Sequence, residues 1–165
     1  MQSAITRRLI LAIILLGFLA VAPMASAQQV VTNHSGTICK NYNAGEVSYI
    51  DYLFNGTRVV TTTSPTAIIC PLTRNTANVQ GAMVHVDVTH NGNQTTTCLA
   101  FSSNIGGGTL LASGSEPPWT GSGSHRFNIN LVGPGKSSVW SDYSVLCTIP
   151  GNAGGVINGV DLYEY

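Results

Sequence analysis

The chain has 165 residues, with seven Lys and Arg against seven Asp and Glu; only 8% of residues are charged while 44% are hydrophobic. Such an even balance lacks the basic face that a nucleic-acid binder needs, and this much apolar content with so little charge is not the composition of a disordered chain. One domain is the natural count at this length.

The N-terminus reads as an export signal. Arg7 and Arg8 form a positive start, Leu9 to Ala22 is an unbroken apolar run, Pro23 breaks it, and Ala25-Ser26-Ala27 is a small-x-small cleavage site. The run is shorter than the roughly 20 apolar residues of a spanning helix, so the expectation is a cleaved signal peptide over 1–27 and a single domain over 28–165. That domain keeps five basic and seven acidic residues, a net charge of −2. No second long apolar stretch follows, so no membrane span is expected after signal removal. The implied destination is secreted or periplasmic.

Beyond the signal the pattern is β throughout. A strand is expected near Gly36–Tyr42. Tyr49–Phe54 and Thr57–Thr63 form a hairpin, because Asn55-Gly56 tolerates the positive φ of a tight turn. Ala67–Leu72 follows. Ala82, Val84, Val86 and Val88 alternate with Met83, His85, Asp87 and Thr89, the period-two signature of a half-buried strand. Asn91-Gly92 then predicts a second hairpin, returning through Gln94–Phe101. Thr109–Ser113 is a further strand, and Gly114 to Gly123 reads as an ordered loop packed by Trp119. His125–Leu131 alternates again, with Phe127, Ile129 and Leu131 inward. Gly133-Pro134-Gly135 is a tight turn, and Val139–Ile149 and Val156–Tyr163 close the chain. About nine short strands at even spacing predict an all-β antiparallel sandwich, jelly-roll-like. An immunoglobulin arrangement does not fit: no Trp closely follows Cys39, and Val145 stands where a Tyr would precede Cys147.

Four cysteines remain after the signal: Cys39, Cys70, Cys98 and Cys147. An even count in an exported chain reads as two disulfides. Their spacing, with no C-x-x-C, argues against a metal site. Three connectivities are possible; Cys39–Cys70 with Cys98–Cys147 is preferred because strands near in sequence tend to be near in space.

Asp142 to Pro150, a Gly/Asn spacer and Val156 to Glu164 resemble the closing strand pair of jelly-roll, galactose-binding-like modules, where a Tyr-led strand precedes an I-x-x-V-x-L-x-E strand. The mature chain also resembles a group of small exported bacterial β-sandwich proteins with disulfides and no known function. It shares their Ile69-Cys70-Pro71-Leu72 segment and their Tyr143 to Pro150 segment. The resemblance implies the disulfides and no particular activity.

Candidate sites follow from residue type and spacing. His85 and Asp87, two apart on a strand, share a face. With His90 at the following turn they form the weak candidate for a metal site, where zinc would want three or four such ligands. Cofactors are not otherwise suggested: Gly133-Pro134-Gly135-Lys136 lacks the first Gly of a phosphate loop, and Pro134 removes a backbone donor. No catalytic residues are assigned, since no Gly-x-Ser-x-Gly elbow exists and no two acids are marked as a cleft pair. Flat rings stack on sugar C–H faces, so Trp119, Trp140 and Tyr143 are the candidate ligand contacts.

The function expected from this sequence is non-enzymatic contact at a surface, with envelope components, matrix or glycans as partners and no nucleic acid. The alternatives are a small secreted hydrolase using His85, His90 or His125, and a structural subunit self-associating through its terminal strands.

Overall fold

A computed structural model describes residues 30–60, 63–74, 81–104, 108–132 and 141–165. The expected signal segment, the Gly133–Gly135 turn and Trp140 lie outside the described residues.

The described chain forms ten strands: β1 (Val30–Ser35), β2 (Lys40–Asn41), β3 (Ile50–Leu53), β4 (Gly56–Val59), β5 (Thr66–Leu72), β6 (Ala82–Asn104), β7 (Leu110–Ser115), β8 (Trp119–Asn130), β9 (Ser141–Ile149) and β10 (Gly155–Glu164). The only helical pieces among the described residues are two short 3-10 segments, Gly36–Ile38 and Ala44–Tyr49. All pairings are antiparallel. In the first sheet β10 lies between β6 on one edge and β4 and β1 on the other, with β8 beyond β6 and β3 beyond β4. In the second sheet β9 lies between β5 and β6, with β2 beyond β5 and β7 beyond β6. The fold is an antiparallel, jelly-roll-like sandwich, nearly closed into a barrel.

One strand makes both sheets. The first half of β6 pairs β10 and β8, and its second half pairs β9 and β7. This corrects the second hairpin expected at Asn91-Gly92. The chain does not turn back there; His90 pairs Gly123 and Gln94 pairs Gly121, so Asn91, Gly92 and Asn93 stand opposite the single residue Ser122. Gly92 and Gly123 carry φ of 99° and 87°. The positive φ that makes Asn-Gly a good turn equally suits a wide bulge, and a bulge bends a strand from one sheet into another. The first hairpin does form, one residue earlier than expected. Leu53 pairs Gly56, so the turn is Phe54-Asn55 and Gly56 is already in β4. Gly56 is required there for close approach: a Cβ would lie 2.3 Å from the Ile157 carbonyl oxygen of β10. Two further boundaries differ. Gly36–Tyr42 is largely a 3-10 turn before a two-residue strand, and the loop expected up to Gly123 becomes strand from Trp119 onward.

The core fills the space between the sheets. Val84, Val86, Val88, Phe127, Ile129, Ile157, Val160 and Leu162 come from the first; Ile68, Tyr143, Val145 and Ile149 come from the second. Both disulfides sit in this layer with the expected pairing, Cys39–Cys70 and Cys98–Cys147. Cys98 and Cys147 face each other across β6 and β9, and the Lys40–Ile69 pairing brings Cys39 beside Cys70. The last strand β10 is paired on both edges, while β1 pairs only β10 among the described residues.

Candidate functional site

Of the aromatic residues singled out from sequence, Tyr143 and Trp119 are described, and neither presents an open ring face. Tyr143 is 1% exposed in the core, with the Arg74 guanidinium carbon 5.5 Å from its ring centroid. It points inward because β9 alternates and its register places Tyr143 with Val145, Cys147 and Ile149. Burial holds its phenol above the ordinary pKa. Trp119 is half-buried and packed into a stack of rings. Its centroid lies 4.2 Å from that of His90 and 4.7 Å from that of His125, and His125 meets Phe127 edge-on at 4.8 Å. Gly121 makes room for the indole, since a Cβ there would stand 3.2 Å from it. Trp119 therefore belongs to the packing of the first sheet beside the bulge.

His90 pins that bulge. It is 3% exposed; its Nδ1 lies 3.0 Å from the Gly121 carbonyl oxygen, and its Nε2 lies 2.7 Å from Thr96 Oγ1. A carbonyl only accepts, so Nδ1 carries the proton and donates, and Thr96 donates to Nε2 of the neutral ring. Burial lowers the His90 pKa below its ordinary value and the nearby His125 adds to this, while backbone bonds at Gly121 and Gln94 oppose it. The folded chain thus refuses a proton that the unfolded chain accepts below about pH 6.5. Stability should fall as pH drops through that value and level off once folded His90 is protonated. Urea unfolding of wild type and His90→Gln at pH 8 and pH 5 checks this. The wild type should lose more stability between the two pH values than the variant; equal losses would contradict it.

The weak metal candidate does not assemble. His85 and Asp87 do share the outer face of the first sheet, but His90 faces inward with Val88, because even-numbered residues of this half of β6 all point to the core. Asp87 is engaged by Arg126, and His85 Nε2 lies 3.1 Å from Met83 Sδ. Among the described residues no group of three or more His, Cys, Asp and Glu could hold an ion.

The outer face of the first sheet carries what sequence reasoning missed. Arg126 Nε and Nη2 donate to the two Asp87 carboxylate oxygens at 2.7 and 2.6 Å, a bidentate pair across β8 and β6. Asp161 of β10 stands 3.9 Å from the same guanidinium. The Asp87 carboxylate holds the Arg126 pKa above its usual value. Asn158 is the extra residue of a bulge in β10, and its Nδ2 donates to Thr89 Oγ1 at 2.7 Å. Thr89 Oγ1 is in turn 3.1 Å from Ser124 Oγ. Asp87, Ser124, Arg126 and Asn158 line a shallow depression of about 300 Å³.

Rings flank this polar strip. Tyr163 stacks toward His85 at 6.3 Å and lies 6.0 Å from Tyr165. Tyr165 is anchored by backbone bonds to Gly81 and by its hydroxyl donating to Asn130 Oδ1 at 3.0 Å. The alternation of β10 makes Tyr163 outward-facing, which the sequence does show. That Arg126 meets Asp87 rests on register alone.

His125 and Ser124 also border the depression, yet neighbours on a strand point to opposite faces. The His125 ring stacks on Trp119 and meets Phe127 edge-on, on the inner side. His90 and Thr96 form a His–hydroxyl pair at 2.7 Å, and both are buried, with exposures of 3% and 1%.

Among solved structures the chain is similar to the xylan-binding module CBM15, with a TM-score of 0.50, 12% identity, and coverage of 83% of this chain and 97% of that one. It is also similar to TmCBM27, a carbohydrate-binding module described for specific mannan recognition, at TM-score 0.45 and 9% identity over 84% and 99%. An apo-form cyclase from Fischerella sp. matches at TM-score 0.43 and 10% identity over 87% and 91%. No protein-family model and no curated protein matches the sequence. At these identities the likeness is one of fold: the chain has the jelly-roll-like sandwich that xylan-binding CBM15 also has.

Proposed function

We propose that this protein is a non-enzymatic, exported module that associates with glycans of an envelope or matrix through the outer face of its first sheet. The carrying observation is the strip of fixed polar groups, Arg126, Asp87, Asp161 and Asn158, beside the rings of His85, Tyr163 and Tyr165. A sugar offers hydroxyls that both donate and accept, together with apolar C–H faces. A guanidinium locked to a carboxylate presents donors and acceptors in set directions, and an adjacent ring covers the apolar face. The groups are already held by one another, so little ordering is needed on binding. The signal-like segment at 1–27 and the two disulfides support export, since such bonds persist in oxidising compartments. The xylan- and mannan-directed names of the similar modules are consistent with this reading.

Affinity electrophoresis against a panel of soluble polysaccharides tests it. At least one should retard the protein. Arg126→Ala and Tyr163→Ala should each weaken that retardation by about tenfold, in line with about 1–2 kcal/mol for a truncated contact. Trp119→Ala should instead lower the unfolding midpoint and leave binding by the folded fraction intact. A panel without retardation, or retardation that Trp119 alone controls, would refute the assignment of this face.

A further inference from the structure

We infer that the ligand of this face is a neutral polysaccharide chain, lying along the seam between β6 and β8, and that acidic glycans are excluded. The inference rests on the glycan reading above and narrows it. Two carboxylates, Asp87 and Asp161, face one guanidinium, and that guanidinium is already held by both oxygens of Asp87. Its charge is answered before any ligand arrives. A uronate carboxylate placed here would meet two like charges and a cation with its Nε and Nη2 donors in use, a repulsive arrangement that selects by exclusion. A neutral hydroxyl meets no such penalty. It can donate to the lone pairs of Asp87 left free by Arg126, since a carboxylate offers about four acceptor positions.

The seam has the shape for a chain. The outward positions pair Ser124 with Thr89, Arg126 with Asp87, Asn128 with His85 and Asn130 with Met83. Seven residues of β6 extend about 20 Å, enough for several sugars in a row. Gly159 of β10 pairs Asp87, and a Cβ there would meet nothing closer than 3.5 Å, so its missing side chain leaves a gap beside the Arg126–Asp87 pair. A large residue at 159 would stand in the ligand's path while leaving the strands undisturbed.

The experiment uses the disulfide-bonded protein in native gels containing xylan or glucomannan as neutral polymers, or polygalacturonate as the acidic one. A neutral polymer should retard the protein more than about tenfold more strongly than polygalacturonate, and Gly159→Phe should abolish retardation at an unchanged unfolding midpoint. Equal or stronger retardation by polygalacturonate would overturn the neutral-chain inference and leave glycan association standing. Unaltered neutral binding by Gly159→Phe would overturn the placement on the seam. Absence of retardation by every polymer would overturn the glycan reading itself and this inference with it.

Discussion

Replacing Cys98 and Cys147 together by alanine is expected to cost the fold about 4 kcal/mol. The bridge closes a loop of 49 residues in the unfolded chain. In the chain-entropy account a loop of this length removes freedom corresponding to about 4 kcal/mol at 25 °C. Cys98 and Cys147 are 3% and 0% exposed and face each other across paired strands, so alanines there leave no polar group stranded. The bridge also ties β6 to β9 just after β6 has crossed from one sheet to the other. The Cys39–Cys70 loop spans 31 residues and should contribute slightly less. Total stability of a domain this size is about 5–15 kcal/mol, so reducing both bridges should unfold the protein at moderate urea. Urea midpoints of wild type, Cys98→Ala/Cys147→Ala and the fully reduced chain measure this directly. A double variant within about 1 kcal/mol of wild type would show that the bridge constrains little.

The second large effect is expected at Arg74. Glu164 is fully buried at the end of β10, with Oε1 3.6 Å from Arg74 Nε, whose side chain is 12% exposed. Arg74 Nη1 also donates to Ser141 Oγ at 2.6 Å and its guanidinium lies over the Tyr143 ring. Removing one partner of a buried ion pair leaves a charge in a poor medium, a change of about 3–5 kcal/mol. Arg74→Ala should therefore destabilise by about that amount. Arg74→Met combined with Glu164→Leu should recover most of the loss, because an apolar pair of similar volume needs no counter-ion. The double-mutant cycle, read by urea unfolding, separates the two effects. Additive losses from the two substitutions would show that Arg74 and Glu164 do not act as a pair. The glutamate that closes the I-x-x-V-x-L-x-E pattern thus acquires a reason: it is an internal anion held by a cation two residues beyond β5.

What the sequence determined by itself is whatever repeats locally. Alternation is a property of consecutive residues, so the inward set Val84, Val86, Val88, Phe127, Ile129 and Leu131 was legible, and with it a β-sandwich. Cysteine number and spacing were enough to favour the two bridges on the rule that strands near in sequence tend to be near in space, although the pairs actually bridged, β6 with β9 and the start of β2 with β5, are not consecutive strands. The same parity would have set His90 apart from His85 and Asp87, had it been carried through the turn signal. The tertiary structure decided what depends on register between distant strands. Asn91-Gly92 suits a hairpin and a bulge equally, and only the partner strand β8 selects the bulge. Arg126 meets Asp87, 39 positions earlier in the chain, because β8 returns beside β6 in one register; a slip of one residue would turn the guanidinium to the core. Trp119 and Tyr143 were candidate contacts by residue type alone, because composition reports an aromatic residue's chemistry but not what covers it. The face that carries the polar strip could be read only once the strands were laid side by side, since local alternation sorts residues by face and long-range pairing alone decides which of them become neighbours.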